Sequence, residues 1–183
     1  FTITTEVCAH FHRHSHRYPG SLRKELNGAL ARLEESMGKR FGDPTNPLLL
    51  SVRSGARVSM PGMMDTVLNL GLNDETVDGL ATLTDNPRCA WDAYRRFIQT
   101  YGDVVMGVTP EGLEIDPFEA AIDEVKEKRG IELDLDLSIA DLQELVDRAA
   151  ISRNSQRGHA FALFLRYCFA VIREQLLRRG VCR

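Results

Sequence analysis

The stretch LSVRSGARVSMPGMMDTVLNLGL, residues 50–72, joins a short apolar run to a segment rich in glycine, proline and methionine. The run LLLSVRS, residues 48–54, is typical of a buried strand that carries Arg53 at its end. A guanidinium at a strand end is a permanently charged, forked donor that suits phosphate oxygens. The glycines and the proline of residues 55–65 allow sharp turns and bring bare backbone amides close to an anion. The stretch therefore predicts a phosphate-binding loop, and a solvated arginine beside an ordinary turn-rich loop is the alternative.

The whole sequence predicts an α+β fold that is rich in helix. FTITTEV, residues 1–7, alternates in polarity and is rich in β-branched residues, which predicts a short strand. Leucines recur at helical spacing between Ser21 and Gly38, which predicts a helix with Ser21 as its N-cap. Periodicity and capping signals predict further helices over residues 74–83, 87–101, 118–129, 139–146 and 160–179.

Charge is distributed unevenly along the 183 residues, whose formal net charge is −3. Residues 148–183 hold eight of the 23 basic residues, all of them arginines, and only one of the 26 acidic residues, Glu174. The net charge is therefore +7 in this tail and −10 in residues 1–147. The change in composition predicts a boundary at residue 147.

The overall composition indicates a globular protein, with 43% hydrophobic and 27% charged residues. No apolar run reaches the length of about 18 residues that a membrane-spanning helix needs. The four cysteines show no CxxC spacing, so we expect neither a disulfide framework nor a zinc site, and a cytoplasmic setting. Cys8 and Cys89 are interpreted as small buried hydrophobes.

Five segments of the sequence match one enzyme family in both residues and order. They are FTITTEVC, GDPTNPLLLSVRSGA, SVRSGARVSMPGMMDTVLNLGLNDETV, YRRFIQTYGDVVMGV and EVKEKRGIELDLDLSIADLQELV. Together they resemble the pyruvate, phosphate dikinases across residues 1–147, about four fifths of the chain. The string RSGARVSMPGMMDT is the most specific of the five. In the related phosphoenolpyruvate synthases and glucan dikinases, the corresponding string resembles an RSS variant and a different loop follows it.

The resemblance implies an ATP-grasp nucleotide-binding domain and a division of the chain into three parts. Residues 1–72 would form a partial ATP-grasp subdomain with the phosphate loop, and residues 73–147 a helical inserted subdomain. Residues 148–183 would be a divergent, arginine-rich tail that is helical in part. The family interconverts ATP, pyruvate and phosphate with AMP, phosphoenolpyruvate and pyrophosphate, through a phosphohistidine on a swivelling domain.

The resemblance also assigns functional residues. Arg53 would be catalytic, because it would contact the ATP phosphates and stabilise the charge that develops during transfer. Gly62, Met63 and Met64 would cover the triphosphate with their backbone amides, and Asp65 would hold the loop in place. ATP and magnesium are the implied cofactors, but no metal ligand is assigned within this chain.

The resemblance further defines the expected partners. ATP or AMP would bind this chain, whereas pyruvate and phosphate would bind domains that it does not contain. Neither nucleic acid nor a membrane is an expected partner, and full-length members are expected to be homodimers. Because the sequence begins abruptly at FTITTEV and lacks a phosphohistidine motif, we expect a piece of a longer enzyme. Alone it would be inactive and would bind nucleotide weakly at most.

The alternative is that the chain is a non-catalytic, truncated or frameshifted remnant, which acts at most as an interaction module. The tail supports this interpretation, because arginines without lysine are typical of a shifted reading frame in GC-rich DNA. A genuinely divergent end is the other explanation of the same composition. The eight arginines would also attract the phosphates of a nucleic acid, which is a third and less favoured function.

An H-x-H-x-H-x-H run begins at His10 and ends at His16. In a helix, His10 and His14, like His12 and His16, have the i,i+4 spacing of metal-binding pairs. The arginines interleaved with the run favour a solvated surface helix over a metal site.

Overall fold

The computed structural model describes residues 1–15, 17–53, 66–106 and 116–151. These residues form six α-helices and a two-stranded antiparallel sheet, which confirms the expected helix-rich α+β class. The elements are α1 (Thr5–Arg13), α2 (Leu22–Met37), β1 (Leu50–Arg53), β2 (Thr66–Leu70), α3 (Thr76–Thr84), α4 (Pro87–Tyr101), α5 (Pro117–Arg129) and α6 (Ile139–Ile151). A π-helical turn, Gly102–Met106, follows α4, and a short 3-10 turn, Asp134–Asp136, precedes α6. None of the described helices is long and apolar enough to cross a membrane.

The start of the chain is helical, so the predicted strand over residues 1–7 is wrong. Thr4 is extended, and α1 begins at the next residue. Ile3 and Val7 both pack against the main core, four residues apart, so one side of this segment meets the protein while the other faces solvent. In a segment this short, tertiary contacts outweigh the strand preference of β-branched residues.

Capping residues set the ends of two helices as the sequence predicts. The side chain of Asn86 accepts a hydrogen bond from the amide of Cys89 at 3.0 Å, and Pro87 is the first residue of α4. Gly38 ends α2 with a left-handed φ of 62°. Cys89 itself is exposed in the first turn of α4, so its prediction as a buried hydrophobe is wrong.

The core consists of two adjoining clusters of buried side chains. The main cluster joins α2, β2, α3 and α4, and it includes Val146 from α6. The second cluster joins α5, α6 and Leu137, and Trp91 packs against both clusters. The main cluster contains buried residues from both sides of position 72, where the two subdomains are predicted to meet. The two predicted subdomains therefore share one core.

Two arginines of α4 and a lysine of α5 hold the connection between α5 and α6 in place. Arg88 donates to the backbone carbonyls of Asp134 and Leu137, at 2.7 and 3.0 Å. The carboxylate of Asp134 lies 2.6 Å from the Lys126 ammonium and 3.7 Å from the guanidinium of Arg95. The ammonium of Lys126 is the main cause that keeps the pKa of Asp134 below its ordinary 3.8. These contacts fix the second cluster on α4.

A capping box starts α6, as the sequence predicts. The hydroxyl and the amide of Ser138 donate to the Asp141 carboxylate at 2.6 and 3.0 Å, and the Asp141 amide donates back to that hydroxyl at 3.2 Å. Asp141 is only 5% exposed and also pairs with Arg129 at 2.8 Å. The Ser138 hydroxyl, above all, holds the pKa of Asp141 below its ordinary 3.8. The helix continues to Ile151, beyond the predicted end at residue 146.

We expect Asp141→Asn to lower the free energy of unfolding by about 1–2 kcal/mol near pH 7, because it removes a charged acceptor from the helix start. The folded pKa of Asp141 is depressed, so its contribution is present above the unfolded pKa and is lost as the pH falls through the folded pKa. Urea denaturation from pH 7 to pH 2.5 should therefore show the difference shrinking below about pH 4. Asp147→Asn, an exposed change on the same helix, serves as control. A difference that stays constant over this pH range would contradict the assignment.

Gly79 allows α3 to lie directly on the turn formed by residues 42–47. A Cβ at this position would stand 1.9 Å from the carbonyl oxygen of Pro44 and 2.8 Å from its carbon. The turn itself is held by Asp43, whose carboxylate accepts from the amides of Thr45 and Asn46 at 2.8 and 3.0 Å. Glycine is therefore required at position 79 for α3 to pack against the turn.

We expect Gly79→Ala to destabilise the protein by about 1–2 kcal/mol, because the clash with Pro44 exceeds the usual helix gain of up to about 1 kcal/mol. Gly28→Ala is the matched control in α2, where a Cβ would meet only the end of Arg32 at 3.8 Å. That change should stabilise the protein by about 0.5–1 kcal/mol. Thermal unfolding of both variants checks the pair, and stabilisation by both would show that the α3 contact is loose.

Candidate phosphate-binding site

The two strands bring the ends of the predicted phosphate loop together. β1 and β2 pair antiparallel, with Leu50 opposite Leu70, Val52 opposite Val67 and Arg53 opposite Thr66. Residues 54–65 therefore leave the sheet at Arg53 and return to it directly opposite. The predicted loop residues fall outside the described part of the chain; they are Gly62, Met63, Met64 and Asp65.

β1 is half-exposed, which corrects the prediction of a buried strand. Leu50 and Val52 are partly covered and pack against the main core, whereas Ser51 and Arg53 are exposed. On β2, Val67 and Leu70 are buried and Leu68 is 52% exposed. β1 therefore alternates in burial along its length, as a strand with one packed face does.

Arg53 presents its charge to solvent at the end of β1. Among the described residues, no carboxylate forms an ion pair with it. By contrast, Arg95 and Arg148 are each engaged by carboxylates at 2.9 and 2.8 Å. A guanidinium without a carboxylate partner keeps its five donors for an incoming anion.

The opposite end of the sheet is a corner of close backbone contact. Gly71 has a φ of +119°, and a Cβ there would stand 2.7 Å from the carbonyl oxygen of Leu48 and 3.1 Å from the ring of Phe41. Asn69, one residue before the end of β2, also has a positive φ, 59°. The corner therefore requires glycine at position 71 for both conformation and space.

Thr76 joins this corner to α3, and sequence reasoning missed its role. Its fully buried hydroxyl donates to the Gly71 carbonyl at 2.9 Å and accepts from the amide of Asn73 at 2.7 Å. The Asn73 side chain in turn accepts from the amides of Glu75 and Thr76, at 2.9 and 2.8 Å. The sequence predicts this helix from residue 74, whereas α3 starts at residue 76. The signal available in the sequence was an N-x-x-T pattern, the spacing of a reciprocal cap.

A tyrosine from α4 completes the support. Tyr94 is 1% exposed, and its hydroxyl donates to the carboxylate of Asp74 at 2.7 Å. Because Asp74 lies between β2 and α3, this bond ties the corner to the longest buried stripe of the core.

A second candidate site is the cleft of about 190 Å³ between α4, α5 and α6. Its walls are mainly apolar and include Ile98, Phe118 and Leu145. The two arginines that line it, Arg95 and Arg148, already pair with carboxylates. The cleft therefore offers apolar surface and not an anion-binding site.

The description of one protein-family model fits this geometry. The model "Pyruvate phosphate dikinase, AMP/ATP-binding domain" matches residues 14–161. The chain belongs to the pyruvate, phosphate dikinase family. The match includes both strands, the corner at Gly71 and all of α2 to α6.

Individual relatives support the same conclusion. The pyruvate, phosphate dikinase of Clostridium symbiosum is 48% identical over 162 residues, which are 88% of this chain and 18% of that enzyme. The enzymes of Giardia intestinalis and Rhizobium meliloti are 52% and 48% identical over 147 residues, 80% of this chain and 16% of each relative. The chain thus spans about one sixth of the length of these relatives.

The matches also extend the similarity beyond its expected end. Inspection of the sequence places the end of the resemblance at residue 147, whereas the pyruvate, phosphate dikinase model continues to residue 161. The helix α6 likewise crosses this position without a break. The boundary between residues 147 and 148 remains a prediction, since residues 152–183 lie outside the described part of the chain.

We expect Thr76→Val to cost about 1–3 kcal/mol of stability, because it leaves the buried Gly71 carbonyl and Asn73 amide without a partner. Thr82→Val is a matched control on the same helix, where the exposed hydroxyl donates to the Asp78 carbonyl at 2.9 Å. That change should stay within about 0.5 kcal/mol. Guanidinium denaturation measures both variants, and equal effects would show that the corner does not depend on Thr76.

Proposed function

We propose that the Arg53 end of the β1–β2 sheet, with the loop of residues 54–65, binds the phosphates of ATP. The observation that carries this proposal is the exposed guanidinium of Arg53, which pairs with no carboxylate of the described ranges and lies opposite Thr66, where residues 54–65 join the two strands. The name of the matching family domain, AMP/ATP-binding, supports the same ligand. Bare amides and a forked cation are the groups that phosphate-binding loops combine.

Arg53 would act on the phosphoryl group that is transferred. Phosphoryl transfer spreads negative charge over the phosphoryl oxygens, and a fixed guanidinium stabilises that charge without a proton transfer. In this proposal Arg53 is catalytic because it touches the reacting phosphates. The full reaction would convert ATP, pyruvate and phosphate into AMP, phosphoenolpyruvate and pyrophosphate, as the names of the relatives suggest.

The loop would supply uncharged donors to the same anion. Gly62, Met63 and Met64 would direct backbone amides at the phosphates. Asp65 directly precedes Thr66, the residue opposite Arg53, so in the sequence it is the last residue of the loop. We assign Asp65 the role of holding the loop in place at its C-terminal end.

Magnesium would reach this site with the nucleotide. Mg²⁺ is usually held by substrate phosphates and one or two carboxylates, and it keeps several waters. Within the described ranges, no three His, Cys, Asp or Glu side chains are grouped so as to hold a metal ion. The proposal takes its magnesium ligands from other parts of a longer enzyme, as the family resemblance implies. The binding of pyruvate and phosphate by other parts of a longer enzyme, and a homodimeric full-length form, also belong to this proposal.

The test is stabilisation by MgATP of the 183-residue chain and of two arginine variants. We expect weak binding, so ATP at ten times the dissociation constant should add about 1.4 kcal/mol, a rise in Tm of roughly 3–5 °C. Arg53→Ala should remove most of this rise, because the principal cation of the site is lost. Arg23→Ala, an exposed change on α2, should leave the rise intact.

Each result of this comparison is decisive for one interpretation. A rise in the parent chain and in Arg23→Ala, but not in Arg53→Ala, supports the phosphate site. Equal rises in all three proteins would place the nucleotide elsewhere. No rise in any of them would favour the alternative of a non-catalytic remnant whose helices serve only as an interaction module.

A further inference from the structure

The cleft between α4, α5 and α6 lies beside the point where the described part of the chain ends. Its volume is about 190 Å³, and its apolar walls include Ile98 of α4 and Phe118 of α5. Val146 and Ala149 of α6 also line the cleft, and α6 itself ends at Ile151. The chain therefore leaves α6 next to this cleft.

The cleft has the size of an aromatic ring. An apolar cavity of about 150 Å³ is large enough to bind benzene, so the cleft of about 190 Å³ can hold one phenyl ring. Phe118 and Ala121 in its wall are only half-buried, so a ring inserted there would cover apolar surface that is exposed to water. The cleft therefore suits an apolar side chain that another segment brings to it.

A segment with suitable apolar side chains follows α6 in the sequence. Residues 160–179 are predicted to form an amphipathic helix, in which Phe161, Phe164 and Leu165 have the i, i+3, i+4 spacing of one helix face. Amphipathic helices that bind apolar grooves use anchors at this spacing. Nine residues, 152–160, separate α6 from Phe161. They span up to roughly 30 Å, which is enough to return along the 13-residue helix α6.

Charge favours the same contact. Gln99, which lines the cleft, donates to the carboxylates of Asp116 and Glu119 at 3.1 and 2.7 Å. Within the described ranges, neither carboxylate lies within ion-pair distance of a basic side chain. Residues 152–183 carry seven arginines and a single acidic residue, so the segment after α6 is attracted to this end of the cleft.

We propose that residues 160–179 fold back on the protein as a helix and place the ring of Phe161 in the cleft between α4, α5 and α6. On a helix the direction of Phe161 lies between those of Phe164 and Leu165, so these two would contact the rim on either side of it. The occupant of the cleft is thus a segment of the same chain. In this place the helix covers an apolar face that would otherwise favour association with other proteins.

The first test uses the methyl NMR spectrum of the 183-residue chain, in which Ile98 and Leu145 report on the cleft. A phenyl ring that lies against their methyl groups displaces the resonances upfield. Phe161→Leu should therefore move both resonances downfield, and it keeps the helix propensity and the apolar character of the segment. Tyr167→Leu is the matched control, because position 167 lies on the opposite side of the predicted helix, and it should leave both resonances in place. Resonances that do not move in Phe161→Leu, or that move equally in both variants, would overturn the proposal.

The second test changes the cleft and observes the segment. Ala121 lines the cleft, whereas Ala120 is the adjacent, exposed residue of α5. Ala121→Arg should raise the amide hydrogen-exchange rates of residues 160–179 by at least about tenfold, because the burial of a phenyl ring is lost. Ala120→Arg should leave these rates within about twofold, and the exchange of α2 amides verifies folding in both variants. Equal rates in the two variants would overturn the proposal, as would a methyl shift that vanishes on dilution, since a second copy would then fill the cleft.

Discussion

The burial of β2 against α4 is the constraint on which the rest of the structure depends. Val67 and Leu70 are 0% and 1% exposed, and they share one cluster with the stripe of Tyr94, Phe97 and Ile98. Val67 and Leu70 are three residues apart, and both are buried because the pairing shifts by one residue between them, where Asn69 has a φ of 59°. A further slip of one residue would turn these side chains towards solvent. The register that sets Arg53 opposite Thr66 therefore follows from packing on the other half of the strand.

The corner after β2 fixes the end of the sheet that lies opposite the loop. Gly71 lets the backbone pass close to Leu48, and the Thr76 hydroxyl satisfies the polar groups left by the turn. Tyr94 adds a bond from the core to Asp74. Binding loops depend on such scaffolds, because affinity falls when the loop must also be ordered. The helices therefore fix the two strands, and in the proposed function the exposed Arg53 meets the ligand.

Sequence reasoning succeeded where local signals agree with packing. The helix Pro87–Tyr101 was predicted to the residue, because Asn86 caps it and an apolar stripe runs through it. It failed at residues 1–7, where strand-forming residues lead into a helix that begins at Thr5. It also missed Thr76, since a buried hydroxyl between a turn and a helix leaves only a weak pattern. The role proposed for Arg53 rests on a specific string of residues and not on composition, which cannot distinguish a phosphate ligand from a solvated arginine.

The central claim is that the Arg53 guanidinium binds the phosphates of a nucleotide. The most direct measurement is the Nε–H resonance of Arg53 during titration with MgATP and, separately, with AMP. Arg88 and Arg95 provide internal references, because their guanidinium groups are engaged within the protein. A shift of Arg53 that is larger with MgATP than with AMP, while the two references stay constant, is the predicted result. An Arg53 resonance that does not move while MgATP binds would contradict the account.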